Sequence, residues 1–202
     1  MNLPPVLLGL GLVALGVSAY RPADGFTWIL EVFPAIVGAA VMIATYRRFR
    51  LTNLLYCLIF VHALILMVGG HYTYAEVPLG YWMEQWFGFT RNHYDRIGHF
   101  AQGFVPAIIA RELLLRHRVV NAGRSGWLGV VIVLCCLGIS AIYELIEWWT
   151  AAASGASADA FLGTQGDVWD SQKDMMMAGI GALTSILTLS RVHDRALKRV
   201  TP

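Results

Sequence analysis

Asp95 and His99 stand four residues apart, Glu144 and Glu147 three apart, and Asp167, Asp170 and Asp174 three and then four apart. On a helix, each of these spacings brings the side chains to one face. Inward-facing Asp, Glu and His from several helices are how helical bundles hold one or two metal ions. An oxygen-rich set with one or two imidazoles suits Zn, Mn or Fe, or Mg where water completes the shell. A divalent metal ion so held lowers the pKa of a bound water and makes it a nucleophile toward a lipid ester or phosphate. The candidate catalytic residues are therefore Asp95, His99, Glu144, Asp170 and Asp174. The candidate metal ligands are His99, Glu144, Asp170 and Asp174, with His71, Glu147 and Asp167 as secondary candidates.

The elements that must position these groups are transmembrane helices. Of 202 residues, 57% are hydrophobic and only 14% charged, with a mean hydropathy of +0.58. A soluble domain carries about 25% charged residues. Apolar runs fall at about 3–20, 26–46, 51–70, 94–115, 126–149 and 170–190, each near the roughly 20 residues that cross a bilayer core. The expected fold is an all-α integral membrane bundle of six transmembrane helices, a single domain over 1–202 with no room for a separate soluble one. Strict alternation in segments of about ten residues, the mark of a membrane β-barrel, is not seen. The first run has no Lys or Arg before it, so it is expected to be a retained helix rather than a signal peptide. Cys57, Cys135 and Cys136 all sit inside apolar runs and are expected to be packing residues.

Orientation follows from the basic residues. Arg47, Arg48 and Arg50, then Arg111, Arg116, Arg118 and Arg124, then Arg191, Arg195, Lys198 and Arg199 follow the second, fourth and sixth runs. An even number of crossings separates these clusters, so the positive-inside rule puts both termini in the cytoplasm. Topology accounts for the net charge of +2, and no nucleic-acid partner is expected. Membrane lipids are the expected partners, and composition leaves the oligomeric state open. Trp28, Trp82, Trp86, Trp148, Trp149 and Trp169 fall at the opposite, outer interface, where amphipathic rings favour the headgroups. Between the third and fourth runs, Trp82 and Trp86 lie one turn apart, as in a short interfacial helix. The Ala/Ser/Gly-rich stretch 151–166 reads as a loop ending in a turn with exposed backbone.

Ionisable residues inside spans are costly and mark function by default. At 1.5 Å per residue, His99, Glu144 and Asp174 each sit roughly 7 to 10 Å from the outer ends of their helices, so three helices present polar groups at one depth. Three readings stay open: metal-assisted chemistry on a lipid or lipid-linked molecule, binding or transport of protons, cations or a small ligand, and a polar cluster that only locks helices together. Neither internal repeats nor broken helices, the usual transporter cues, are evident, which ranks transport second.

The strings Leu66-Met67-Val68-Gly69-Gly70-His71-Tyr72-Thr73-Tyr74-Ala75, Tyr94-Asp95-Arg96-Ile97-Gly98-His99-Phe100 and Phe161-Leu162-Gly163-Thr164-Gln165-Gly166-Asp167 resemble the YjdF family of bacterial inner-membrane proteins over about residues 30–190. That resemblance implies an inner-membrane location and a helical fold and assigns no activity. The chain also resembles, more weakly, VanZ-like membrane proteins: Asp95-Arg96, His99-Phe100, Glu144 and Asp170 follow their pattern, and Asp174 stands where that pattern has Asn. This second resemblance implies an envelope-lipid or wall-precursor context.

Overall fold

A computed structural model describes residues 2–120, 125–154 and 164–200. Among the described residues the secondary structure is helical: α1 Leu3–Ser18, α2 Gly25–Thr45, α3 Asn53–Tyr72, a 3-10 turn Tyr74–Glu76, α4 Pro78–Phe87, α5 Tyr94–Arg116, α6 Ser125–Ser154 and α7 Asp170–Leu197. Four of these, α2, α3, α6 and α7, are long and apolar enough to cross a membrane. The other two expected spans differ from them in kind. The 16 residues of α1 fall short of a full crossing length, and the 23 of α5 suffice in length but carry Asp95, Arg96, Arg111, Glu112 and Arg116. α6 and α7 run further than their apolar runs, because the flanking Ala and polar residues continue the backbone ladder. Residues 151–154, expected to open a loop, are thus helical, whereas 155–163 and Arg124 lie outside the described residues.

The charged helix α5 occupies the centre, packed against α3, α6 and α7, while α1 and α2 lean on α3. Its polar side chains point into the bundle, and large apolar ones are exposed instead, among them Val13 on α1, Phe33 on α2, Leu134 on α6 and Leu187 on α7. This inversion of a soluble fold is what a lipid solvent demands. Ala107, Leu128, Ile132, Cys136 and Ala182 form the apolar core between α5, α6 and α7. Cys136 is therefore a packing residue as expected, whereas Cys57 and Cys135 are exposed.

α5 and α7 touch backbone to backbone. A Cβ on Gly103 would collide with the Ala178 carbonyl, and one on Gly181 with the Phe100 carbonyl. Small residues at a helix interface allow this approach in lipid, where dispersion rather than the hydrophobic effect drives association. A second close fit joins α3 to α5. Thr73 takes φ 61° at the end of α3, which swings Tyr74 back between Gly69 and Gly98, leaving no space for a Cβ at either. Tyr74, Val77 and Tyr94 form a small buried cluster there.

At the far end of α5 and α7 a buried network ties three helices. Glu112 accepts from Thr52 Oγ1 at 2.8 Å, Thr52 N at 3.1 Å, Arg116 at 2.8 Å and His193 Nε2 at 3.0 Å. Arg111 donates to His193 Nδ1 at 2.9 Å, which leaves Nε2 to carry the proton given to Glu112, and to Asp194 at 2.6 Å. Thr52 is also the N-cap of α3, so one carboxylate on α5 completes the start of another helix.

Because the α5–α7 contact leaves no room, Gly181→Ala is expected to lower stability by about 1–3 kcal/mol through overpacking. Gly138→Ala, where a Cβ meets nothing within 4 Å, should stay within about 0.5 kcal/mol. Denaturation of both purified variants in detergent checks the contrast.

Candidate functional site

Where α5 and α7 begin, their first turns carry opposite charges and meet. Arg96 forms close ion pairs with Asp170 and Asp174 and lies 3.5 Å from Asp95 and 3.6 Å from Asp167. Arg91 reaches Asp170 at 2.8 Å and the Thr164 carbonyl at 2.8 Å, and Lys173 reaches Asp167 at 2.6 Å. The Lys173 ammonium beside Asp167, helped by the Trp169 amide, holds that carboxyl below the usual carboxylate range. The approach to α7 is held by Gln165, whose side-chain amide accepts from Asn92 N at 3.2 Å and donates to Asn92 O at 2.9 Å. Gln165 and Gly166 take φ of 47° and 84°, so the turn expected before Asp167 is present. Buried Asn92 in addition bonds the Val77 carbonyl at 3.0 Å and Tyr94 N at 3.0 Å, fixing the start of α5.

Deeper in the bundle lies a second tier. His99 Nε2 is 3.3 Å from Asp95 Oδ1 and 3.7 Å from Asp174 Oδ1, and its Nδ1 is 3.8 Å from Glu144 Oε1. Asp95, His99 and Asp174 each offer a ligand atom within 4.8 Å of the others. His99 Nδ1 lies 3.1 Å from Gln102 Oε1, and its Nε2 faces the two aspartates. Among the described residues Glu144 Oε1 is buried without a hydrogen-bond partner.

The structure thus brings Asp95, His99, Asp174 and Glu144 to one point. Glu147 follows one turn on along α6. Asp170 and Asp167 join the same cluster but are engaged by Arg91, Arg96 and Lys173. His71 sits elsewhere: its Nδ1 is 2.9 Å from the Ser18 carbonyl and its own carbonyl accepts from Ala23 N, so it ties α3 to the α1–α2 connection.

Glu31 is the member that spacing arguments miss. It is 4% exposed on α2, and the Tyr143 hydroxyl donates to its Oε2 at 3.5 Å. The Tyr143 ring in turn meets His99 edge-on with centroids 6.2 Å apart. A lone acid in the middle of an apolar run was the available signal. Its partners lie on α5 and α6, however, and no helical spacing links them to it.

Four or more helices long and apolar enough to cross a bilayer, with their ionisable groups turned inward, define a multi-pass membrane protein. The chain belongs to the family described as "Predicted membrane protein (DUF2238)", which matches residues 3–195. It is 51% identical to the inner membrane protein YjdF of Escherichia coli (strain K12) over 201 residues, 98% of this chain and 93% of that protein. The family and the inner-membrane location implied by the sequence are thereby established. No solved structure matches the chain.

Removing a partner from a buried ion pair costs about 3–5 kcal/mol, because the other charge is left without compensation. Arg96→Ala strips such a partner from both Asp170 and Asp174 and is expected to fall in that range. Lys173 is 47% exposed, and Lys173→Ala should cost no more than about 1 kcal/mol. Urea unfolding of the two variants in micelles separates a structural ion-pair tier from a decorative one.

Proposed function

We propose that the chain crosses the inner membrane six times as a single domain with both termini cytoplasmic. In the outer half of the bundle it holds a divalent cation that serves chemistry on an envelope lipid or lipid-linked substrate. Length and apolarity of α2, α3, α6 and α7 support four of the crossings. α5 is long enough, at roughly 1.5 Å per residue, to span the core while turning its charges inward. α1 supports the sixth with the local bilayer thinning that a short helix requires. The exposed rings of Trp82 and Trp86 on α4 favour a helix lying in the outer interface.

The observation that carries the cation site is the convergence of Asp95, His99 and Asp174 within 4.8 Å, beside a buried Glu144 oxygen without a partner. Charge bookkeeping by tier points the same way. Arg91, Arg96 and Lys173 hold Asp167 and Asp170 in the outer tier. The inner tier sets Asp95, Asp174, Glu144, Glu147 and Glu31 against His99 and a shared Arg96, so carboxylates outnumber cations only there. Desolvated carboxylates in excess either take up protons or bind a cation. Asp95, His99, Asp174 and Glu144 would be its ligands, with Asp174 shared between the ion and Arg96, which also pairs with Asp170. Such an ion supplies a Lewis acid and an activated water near the outer leaflet.

Elemental analysis of purified protein is expected to find about one equivalent of divalent metal in the wild type. His99→Ala and Asp95→Asn should each lose it while keeping a cooperative melt. Wild-type protein that stays metal-free after dialysis against Zn, Mn, Fe and Mg would sink the reading.

A second reading, passage of protons or cations without bond chemistry, draws on the line of groups from Asp95 and His99 through Tyr143 to Glu31. It predicts ion flux in proteoliposomes that Glu144→Gln and Asp174→Asn abolish. Flux unchanged by both substitutions would count against it.

A further inference from the structure

At the end of the bundle opposite the candidate site, a cavity of about 710 Å³ opens between the start of α3 and the ends of α5 and α7. Arg50, Arg116, Arg195 and Arg199 line it, with Leu54 and Val192 as apolar wall and no carboxylate in the lining. Of the acids nearby, Asp194 is 2.6 Å from Arg111, and Glu112, bonded to Thr52 and His193, also pairs with Arg116 at 2.8 Å. Arg116 is held in place, its guanidinium stacked 3.6 Å over the Phe49 ring and its Nη1 donating to the Arg50 carbonyl at 2.7 Å. The side chains of Arg195 and Arg199 are exposed, and neither is engaged by a hydrogen bond or ion pair from the side chain of any described residue. They lie four residues apart, so both can face the same space.

Glu112 offsets the charge of Arg116, but no lining carboxylate offsets Arg50, Arg195 and Arg199, and an anion among the four relieves their repulsion. Planar forks of donors match phosphate oxygens in geometry and charge. The apolar wall beside them suits the acyl end of an amphiphile rather than a free ion. We propose that this cavity binds the phosphate headgroup of an anionic phospholipid, with Arg195 and Arg199 as the adaptable contacts and Arg116 as the fixed one. Basic pockets between helices on the cytoplasmic side are where such headgroups bind. The inference is independent of the metal site and uses the proposed orientation only to say that the lipid comes from the cytoplasmic leaflet.

Titration of the detergent-purified full-length protein with phosphatidylglycerol, phosphatidylcholine or inorganic phosphate, read as melting temperature, tests it without reference to orientation. Phosphatidylglycerol is expected to raise the melting temperature, and the other two are not. Arg195→Gln with Arg199→Gln should weaken the response by roughly fivefold per arginine removed. Arg47→Gln with Arg48→Gln, an equal loss of charge outside the cavity, should leave it intact. Equal responses to phosphatidylcholine, an equal response to inorganic phosphate, or equal losses in the two double variants would each overturn the proposal. The first would mean general lipid solvation, the second a free-phosphate site and the third diffuse surface attraction.

Discussion

The contact between α5 and α7 at Gly103 and Gly181 is the constraint on which the other interactions depend. Backbones this close fix the register of the two helices, and with it which charges face each other at either end. One end matches Arg96 with Asp170 and Asp174; the other matches Arg111 and Glu112 with Asp194 and His193. Each set would be expensive in lipid on its own. Clamped in register, the two sets neutralise one another. A slip of one turn, about 5.4 Å, would leave Arg96 and Glu112 without these partners.

The same register explains why the inner tier is rich in carboxylates. Arg96 reaches across to α7 at the level of Asp170 and Asp174, so cationic charge is concentrated in the first turn. His99, a turn further in, lies within 4 Å of Asp95, Asp174 and Glu144, and of these Asp174 is also paired with Arg96. Tyr74 closes the side of this space toward α3, and Glu31 with Tyr143 closes it toward α2 and α6.

Much of this was legible in the chain. Apolar run length located the helix starts to within two residues but stopped short of the ends of α6 and α7, and the spacing of Asp95 with His99 and of Asp170 with Asp174 placed them on common faces. These are local properties, carried by one helix at a time. What sequence could not give was pairing between helices. His71 sits at the right depth in α3 but on a face that turns toward Ser18. Glu31 faces the cluster only because α2 leans on α3. The Glu112–His193–Thr52 network joins positions about sixty and eighty residues apart, and no helical period links those three. Asp170 pairs with Arg91 and Arg96, partners at the start of α5 that no spacing within α7 reveals.

The cap that Glu112 gives to α3 also has a meaning in time. The first turn of α3 is made early in synthesis, but the carboxylate that completes it arrives sixty residues later, and the histidine that satisfies the carboxylate eighty-one residues after that. Until α7 is made, Arg96 lacks Asp170 and Asp174 and Arg111 lacks His193 and Asp194, while Glu112 has only Thr52 and Arg116. The synthesis of α7 therefore supplies partners to both poles of α5 at once.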